Sequence, residues 1–232
     1  MTPEKTLAVM ELIGVQKSYA GNPPVEALRG IDLTINEGEL IGLVGTSGSG
    51  KSTMLNIMGA LDHPTEGEVR IQGQDLSALS DRQLSSLRGR RIGFIFQQFH
   101  LIAGLSLVEN VATGVLYQGA SRSQRIKNGI RLLTKVGLGN RLDHLPHQLS
   151  GGEQQRVAVA RALMGEPAII LADEPTGNLD SKTSEEIVKL LHQLNEDGST
   201  IIVVTHDREL ASSFPGMVTL RDGLVESDSR TQ

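Results

Sequence analysis

The chain has 232 residues, which suits one large domain at roughly 100–200 residues per domain, and its 38% of hydrophobic residues supplies one ordinary core. It has no cysteine, which excludes disulfides, thiol catalysis and Cys-based metal sites, and no apolar run approaches the roughly 20 residues that span a bilayer. With 22 Lys and Arg against 27 Asp and Glu, the formal net charge of −5 argues against a protein whose main work is coating nucleic acid. Met1-Thr2-Pro3-Glu4-Lys5 lacks the basic-then-apolar pattern of a secretory signal, so a soluble, intracellular, mildly acidic protein is expected.

In chain order, residues 12–19 and 25–35 alternate loosely and predict an antiparallel pair. Residues 40–44, 92–96, 169–172 and 201–205 are short, apolar and mostly β-branched or aromatic. Such runs predict strands buried on both faces. Residues 53–61 read as a helix. Between about 99 and 164 strand signals fade, and residues 107–117, 122–136 and 151–164 read as helices. Near the end, Val218-Thr219-Leu220, Arg221-Asp222-Gly223 and Leu224-Val225 predict a hairpin turning on Asp-Gly. The polar tail from Ser227 to Gln232 is expected to fray. Alternating strands and helices predict an α/β fold with a largely parallel sheet and an inserted helical subdomain.

Gly45-Thr46-Ser47-Gly48-Ser49-Gly50-Lys51-Ser52 fits G-x-x-x-x-G-K-[ST] and sits between a predicted strand and a predicted helix. The glycines let the backbone curl until successive N–H groups point at phosphates, and the following helix adds its positive end. Lys51 can reach the β- and γ-phosphates, and the Ser52 hydroxyl can ligate Mg²⁺. Ile169-Ile170-Leu171-Ala172-Asp173-Glu174 is a buried strand ending in two carboxylates, and ligands of open α/β sheets sit beyond such strand ends. Adjacent carboxylates on a strand point to opposite faces. One can hold Mg²⁺ while the other polarises an attacking water.

Leu149-Ser150-Gly151-Gly152-Glu153-Gln154-Gln155 opens the helix over 151–164. Ser150 and Glu153 have the spacing of a capping box. Capping does not account for two glycines, which weaken a helix start. Something must approach that backbone closely.

With this motif in place, nearly the whole chain resembles the ATP-binding cassette (ABC) ATPases, whose signature LSGGEQQ matches. The resemblance implies a P-loop NTPase core with an antiparallel β-subdomain and an inserted helical subdomain. The core and β-subdomain would occupy residues 1–98 and 165–232, and the helical subdomain residues 99–164. It implies that Tyr19 stacks on adenine and that Gly45, Thr46, Ser47, Gly48, Ser49, Gly50, Lys51, Ser52 and Thr53 hold the phosphates. Gln97 matches the Q-loop glutamine that senses the γ-phosphate and joins Ser52 and Asp173 on Mg²⁺. Asn178-Leu179-Asp180 matches the D-loop, with Asp180 at the nucleotide, and His206 matches the switch histidine. Ser150, Gly151, Gly152 and Glu153 would meet the ATP of a second copy. Two copies would close head to tail over two ATP–Mg²⁺, with Glu174 orienting or deprotonating water and His206 holding the γ-phosphate.

Three segments look like the lipoprotein-releasing, macrolide-exporter and cell-division branch: residues 48–57, 93–99 and 172–180. That resemblance implies an integral-membrane permease partner, a homodimer of the ATPase, a place at the cytoplasmic face of the inner membrane, and export or extraction of lipophilic cargo or transmission of force. Residues 98–105 would line a groove for a cytoplasmic helix of the permease. The cluster Arg82, Arg88, Arg90 and Arg91 fits a solvated surface, lipid headgroups or the permease. Two other readings share the motifs. A DNA-maintenance ATPase of the SMC type needs a long coiled coil, for which 232 residues leave no room, and a basic stripe that is missing. An ATP-gated regulator of an extracytoplasmic enzyme would use the same residues through a permease-like partner.

Overall fold

The structure is a computed structural model and describes residues 8–231. In chain order the strands are β1 (Ala8–Tyr19), β2 (Val25–Asn36), β3 (Leu40–Gly45), β4 (Glu66–Ile71), β5 (Gln74–Asp75), β6 (Ile92–Phe96), β7 (Ile169–Asp173), β8 (Ile201–Val204), β9 (Gly216–Arg221) and β10 (Leu224–Asp228). The helices are α1 (Lys51–Met58), α2 (Asp81–Arg91), α3 (Leu107–Ala112), α4 (Arg122–Lys135), α5 (Gly151–Ala162), α6 (Ser181–Glu196) and α7 (Arg208–Ser212). The chain forms two compact units, one of residues up to 84 and from 195, the other of residues 85–194.

In the first unit β1 pairs antiparallel with β2 and β4, giving the order β2-β1-β4-β5. The loose alternation of β1 has a cause: its register shifts between Leu12 and Val15, where Gly14 has φ 56° and donates its N–H to Asp32 Oδ1 at 2.8 Å. A bulge of this kind breaks the two-residue period. The other strands of the unit run in the order β10-β9-β3-β8, with β3 parallel to both β8 and β9. Leu40, Ile41, Leu43 and Val44 are all buried, as a strand with parallel neighbours on both sides requires. Gly42 lies under α7, where an added Cβ would come within 2.8 Å of Ala211 Cβ.

The Asp-Gly turn joins β9 and β10 as expected, with Asp222 at φ 49° and Gly223 at φ 77°. The expected fraying is corrected over residues 227–231, and Gln232 lies outside the described residues. Ser227 and Asp228 belong to β10, and Ser229–Thr231 form a 3₁₀ turn. Arg230 donates to Asp228 Oδ1 at 2.9 Å, Glu39 Oε2 at 2.6 Å and the Thr34 carbonyl at 3.0 Å. One arginine thereby closes β10 onto the β2–β3 turn.

In the second unit β6 and β7 pair in parallel, with Phe96 opposite Asp173. Helix α6 buries Ile187, Leu190, Leu191 and Leu194, a stripe at helical spacing. The helix expected over 107–117 stops at Ala112 and tightens to a 3₁₀ turn over Thr113–Val115. There the Thr113 hydroxyl donates to the Asn110 carbonyl at 2.6 Å, and a Cβ on Gly114 would stand 2.6 Å from the Arg161 carbonyl. The helix expected over 151–164 ends at Ala162 in a similar turn, Leu163–Gly165, followed by Glu166 at φ 48°. Helix α1 begins two residues earlier than expected and ends before Gly59 and Ala60.

Candidate functional site

The glycine loop leaves β3 at Gly45 and enters α1 at Lys51. Gly45 and Gly50 are glycines because of their neighbours. A Cβ on Gly45 would stand 2.4 Å from both the Leu220 carbonyl and Ser49 Oγ, and one on Gly50 would stand 2.5 Å from the Ala27 carbonyl. Gly48 is different: it has φ +80° and faces open space. Thr46, Ser47, Gly48 and Ser52 are exposed and Thr53 is half-buried, while Ser49 turns inward and its Oγ meets no hydrogen-bond partner among the described residues. Gly50, at φ 100°, gives α1 no side-chain cap. The first N–H groups of that helix are therefore available to an anion. Lys51 Nζ donates to the Gly45 and Thr46 carbonyls at 2.7 and 2.9 Å, which places the cation across the mouth of the loop. The β9–β10 turn buttresses the loop from outside, since the Gly223 N–H donates to the Ser49 carbonyl at 3.1 Å.

His206 leaves β8 at the same end at which the loop leaves β3, because Leu43 pairs with Val204 in parallel register. It is exposed and sits just before Asp207, the N-cap of α7. Tyr19 ends β1 with its ring partly exposed. Its hydroxyl donates to Asp62 Oδ2 at 3.0 Å, and Lys17 Nζ lies 5.0 Å from the ring centroid. Lys17 also bonds Asp62 Oδ1 and the His63 carbonyl, both at 2.7 Å. Burial works to raise the Asp62 carboxyl, but the bonds from Lys17, the His63 N–H and Tyr19 outweigh it and hold the group below the usual Asp value.

In the second unit, Gln97 follows β6 directly and Asp173 and Glu174 stand at the matching end of β7. Gln97 exchanges two hydrogen bonds with Asn178, from Gln97 Nε2 to Asn178 Oδ1 at 3.3 Å and from Asn178 Nδ2 to the Gln97 carbonyl at 2.9 Å. Glu174 has φ 45°, a conformation that a non-glycine residue keeps only where its surroundings enforce it. Asp180 caps α6: its carboxylate accepts from the Thr183 hydroxyl at 2.6 Å and the Thr183 N–H at 3.1 Å. These bonds, the hydroxyl first, hold its carboxyl below the usual value.

The capping box predicted at Ser150 is present. The Ser150 hydroxyl and N–H both donate to Glu153 Oε2, at 3.0 and 2.9 Å, and Glu153 N returns a bond to Ser150 Oγ at 3.3 Å. Arg141 reaches the other oxygen of Glu153 at 3.2 Å. The Ser150 N–H first, then its hydroxyl and the two arginines Arg141 and Arg156, keep the Glu153 carboxyl ionised below its usual value in spite of burial. Ser150 stays exposed and Gly152 is buried.

Three supporting residues escaped the sequence reading. Gln155 is fully buried and donates to the Pro175 carbonyl at 2.7 Å and the Phe96 carbonyl at 3.4 Å, joining α5 to the strand ends that carry Glu174 and Gln97. Arg161 donates to the Phe99 and His100 carbonyls at 2.8 and 2.6 Å, and burial pushes its guanidinium below the usual Arg value. Asn110, also fully buried, binds the Ile102, Leu105 and Ser106 carbonyls and receives the Ile102 N–H. Arg161 and Asn110 together fix the 98–105 segment while Ile102 remains 52% exposed. A fully buried polar side chain was the available signal: Gln155 interrupts an otherwise apolar face of α5.

Among the described residues, no group of three or more His, Asp or Glu side chains could hold a metal ion, and no helix is long and apolar enough to cross a membrane. The strand, glycine loop and uncapped helix form the phosphate-binding element of a P-loop nucleotide-binding fold. A sequence model described as ABC transporter matches residues 28–177. An uncharacterized ABC transporter ATP-binding protein of Thermotoga maritima is 50% identical over 223 residues, covering 96% of this chain and 95% of that protein. The macrolide export ATP-binding/permease protein MacB of Chlorobium luteolum is 50% identical over 226 residues, 97% of this chain but 34% of its own length. This chain thus spans about a third of that relative. The dimeric post-hydrolysis structure of the ATP-binding cassette MJ0796, bound to ADP and Pi, has a TM-score of 0.84 at 48% identity and covers 95% of this chain and 97% of its own. The component cbiO1 from Clostridium perfringens, part of the cbiONQ complex, has a TM-score of 0.85 at 28% identity and covers 95% of this chain and 88% of its own. The chain belongs to the ABC transporter family, as its ATP-binding, ATP-hydrolysing domain.

Proposed function

We propose that the chain powers a separate membrane permease from the cytoplasmic face of the membrane, by binding ATP between two copies and hydrolysing it. The carrying observation is the loop between β3 and the uncapped α1, with Lys51 across its mouth and Gly48 open to space. Phosphates take the place of the Gly45 and Thr46 carbonyls as partners of Lys51, and the N–H groups opening α1 bind the same oxygens. Tyr19 stacks on adenine, its hydroxyl anchored to Asp62. One hydroxyl, one carboxylate and one amide suit Mg²⁺, which keeps several waters and phosphate oxygens rather than a protein cage; Ser52, Asp173 and Gln97 would hold it. When bound, Mg²⁺ neutralises charge on the phosphate oxygens.

In the partner copy, Ser150 and the N–H groups of Gly151 and Gly152 face the γ-phosphate, and the hydroxyl of Ser150 turns from Glu153 to the phosphate. Glu153 serves by holding Ser150, and Asp180 by ordering the turn into α6. Glu174 takes the proton of the attacking water, and His206 holds the γ-phosphate in line. Residues 99–164 act as the helical subdomain that carries the signature.

The segment over 98–105 supports a permease partner. It is pinned from inside by Asn110 and Arg161 and presents Ile102 outward. The similarity to a macrolide export ATP-binding/permease protein favours an export permease as the partner, and the branch resemblance implies one with few membrane helices, a large extracytoplasmic domain and lipophilic cargo. Affinity capture of the tagged chain from detergent-solubilised membranes of its host tests this reading. Stoichiometric recovery of such a permease is expected. Recovery of soluble or DNA-associated proteins alone would contradict the membrane role.

A further inference from the structure

The two glycines that open α5 are not equivalent. A Cβ on Gly151 would make a 3.3 Å contact with Leu179 Cδ2 and a 3.7 Å contact with Phe99 Cζ, which small shifts accommodate. A Cβ on Gly152 would stand 2.1 Å from Thr183 Cγ2, and the three nearest atoms it would meet all belong to Thr183. The group that approaches this backbone closely is therefore a methyl of the same chain. Thr183 is itself fixed, because its N–H and hydroxyl both bond to the Asp180 carboxylate. The methyl cannot swing away from Gly152 without breaking the cap of α6. A continuous chain of contacts thus runs from Asp180 through Thr183 to Gly152, with Leu179 resting beside Gly151.

We propose that Thr183 is a positioning residue that locks the signature turn to the 178–180 loop, so that Ser150–Gly152 and Asp180 meet the other copy as one block. The inference rests on the two-copy ATP-binding reading above. It assigns the missing Cβ at 152 to an internal side chain, while the Gly152 N–H still faces the nucleotide. Thr183 acts through Gly152 and Asp180.

The test is a cycle of Gly152→Ala, Thr183→Ala and their combination, with Thr183→Ser as a milder variant, all built on Glu174→Gln. Thermal unfolding reads the packing, and the fraction of dimer formed with ATP–Mg²⁺ reads the positioning. Gly152→Ala is expected to lower both. Adding Thr183→Ala, which makes room for the new Cβ, recovers most of the loss in melting temperature and a measurable part of the dimer. Thr183→Ser keeps the bond to Asp180 but removes the methyl, which shifts melting by about 2–4 °C. A role confined to stability would stop there, whereas the positioning role also raises the ATP concentration needed for half-maximal dimer severalfold. If the double variant dimerises no better than Gly152→Ala, or Thr183→Ser dimerises like its parent, the assignment of Thr183 is overturned. A Glu174→Gln parent that stays monomeric with ATP–Mg²⁺ overturns the two-copy reading itself.

Discussion

Gln155 donates to two carbonyls, those of Phe96 and Pro175, just before Gln97 and just after Glu174. Losing the donor leaves the Pro175 carbonyl buried without a partner, a cost of about 1–3 kcal/mol. Gln155→Leu, of similar volume, is expected to lower the unfolding free energy by that amount, seen in equilibrium urea unfolding as a lower midpoint with an unchanged slope. A variant as stable as the parent would remove Gln155 from this role. At the residue scale the proposed motif residues stand out because phosphate chemistry demands their types and spacing. Gln155, Asn110 and Arg161 do not, because their partners are main-chain carbonyls, which carry no sequence signal. The glycines mislead in a further way: Gly45, Gly50 and Gly152 owe their identity to internal neighbours, Gly48 to its backbone conformation and open side.

Among the elements, the buried parallel strands and the Asp-Gly hairpin stood out, since burial on both faces and a left-handed turn each restrict residue choice strongly. Helix α2 did not, because it offers only Leu84 and Leu87 to the core amid four arginines. Its Arg82, Arg90 and Arg91 are exposed. Strands β4 and β5 were also missed, being short and interrupted by Gly67 and Gly73. The tail was misjudged for an electrostatic reason: Ser227-Asp228-Ser229-Arg230 reads as polar, yet Arg230 is matched by Asp228 and by the distant Glu39. Burial works to raise the Asp228 carboxyl, but the bonds from Arg230 prevail and hold it below the usual Asp value. A carboxyl with a depressed folded value stabilises fully above its unfolded value of about 3.9 and loses that contribution as pH falls through the folded value. Arg230→Gln is therefore expected to cost about 1.5–3 kcal/mol near neutrality. The difference from the parent should shrink below about pH 4. Thermal melts of the pair from pH 3 to 7 would show it, and a gap independent of pH would refute the clasp.

For the molecule as a whole, the order of motifs along the chain points to the family, and the matches to ABC transporter proteins agree. What the order could not show is how the motifs are held. In the first unit a hairpin turn props the glycine loop through Gly223 and Ser49. In the second, Gln97 and Asn178 clasp each other, and Gly152 seats Thr183. These contacts depend on long-range register, which local patterning does not encode. One chain carries both the signature turn and the glycine loop, as the proposed symmetric composite site requires.

The central claim is that ATP closes two copies and Glu174 then drives hydrolysis. The most direct measurement is sedimentation of Glu174→Gln with ATP–Mg²⁺, alongside its steady-state turnover. The account predicts a stable dimer that retains ATP, with turnover reduced about 10²–10⁴-fold against the parent. A monomer saturated with ATP, or hydrolysis at the parent rate, would contradict it.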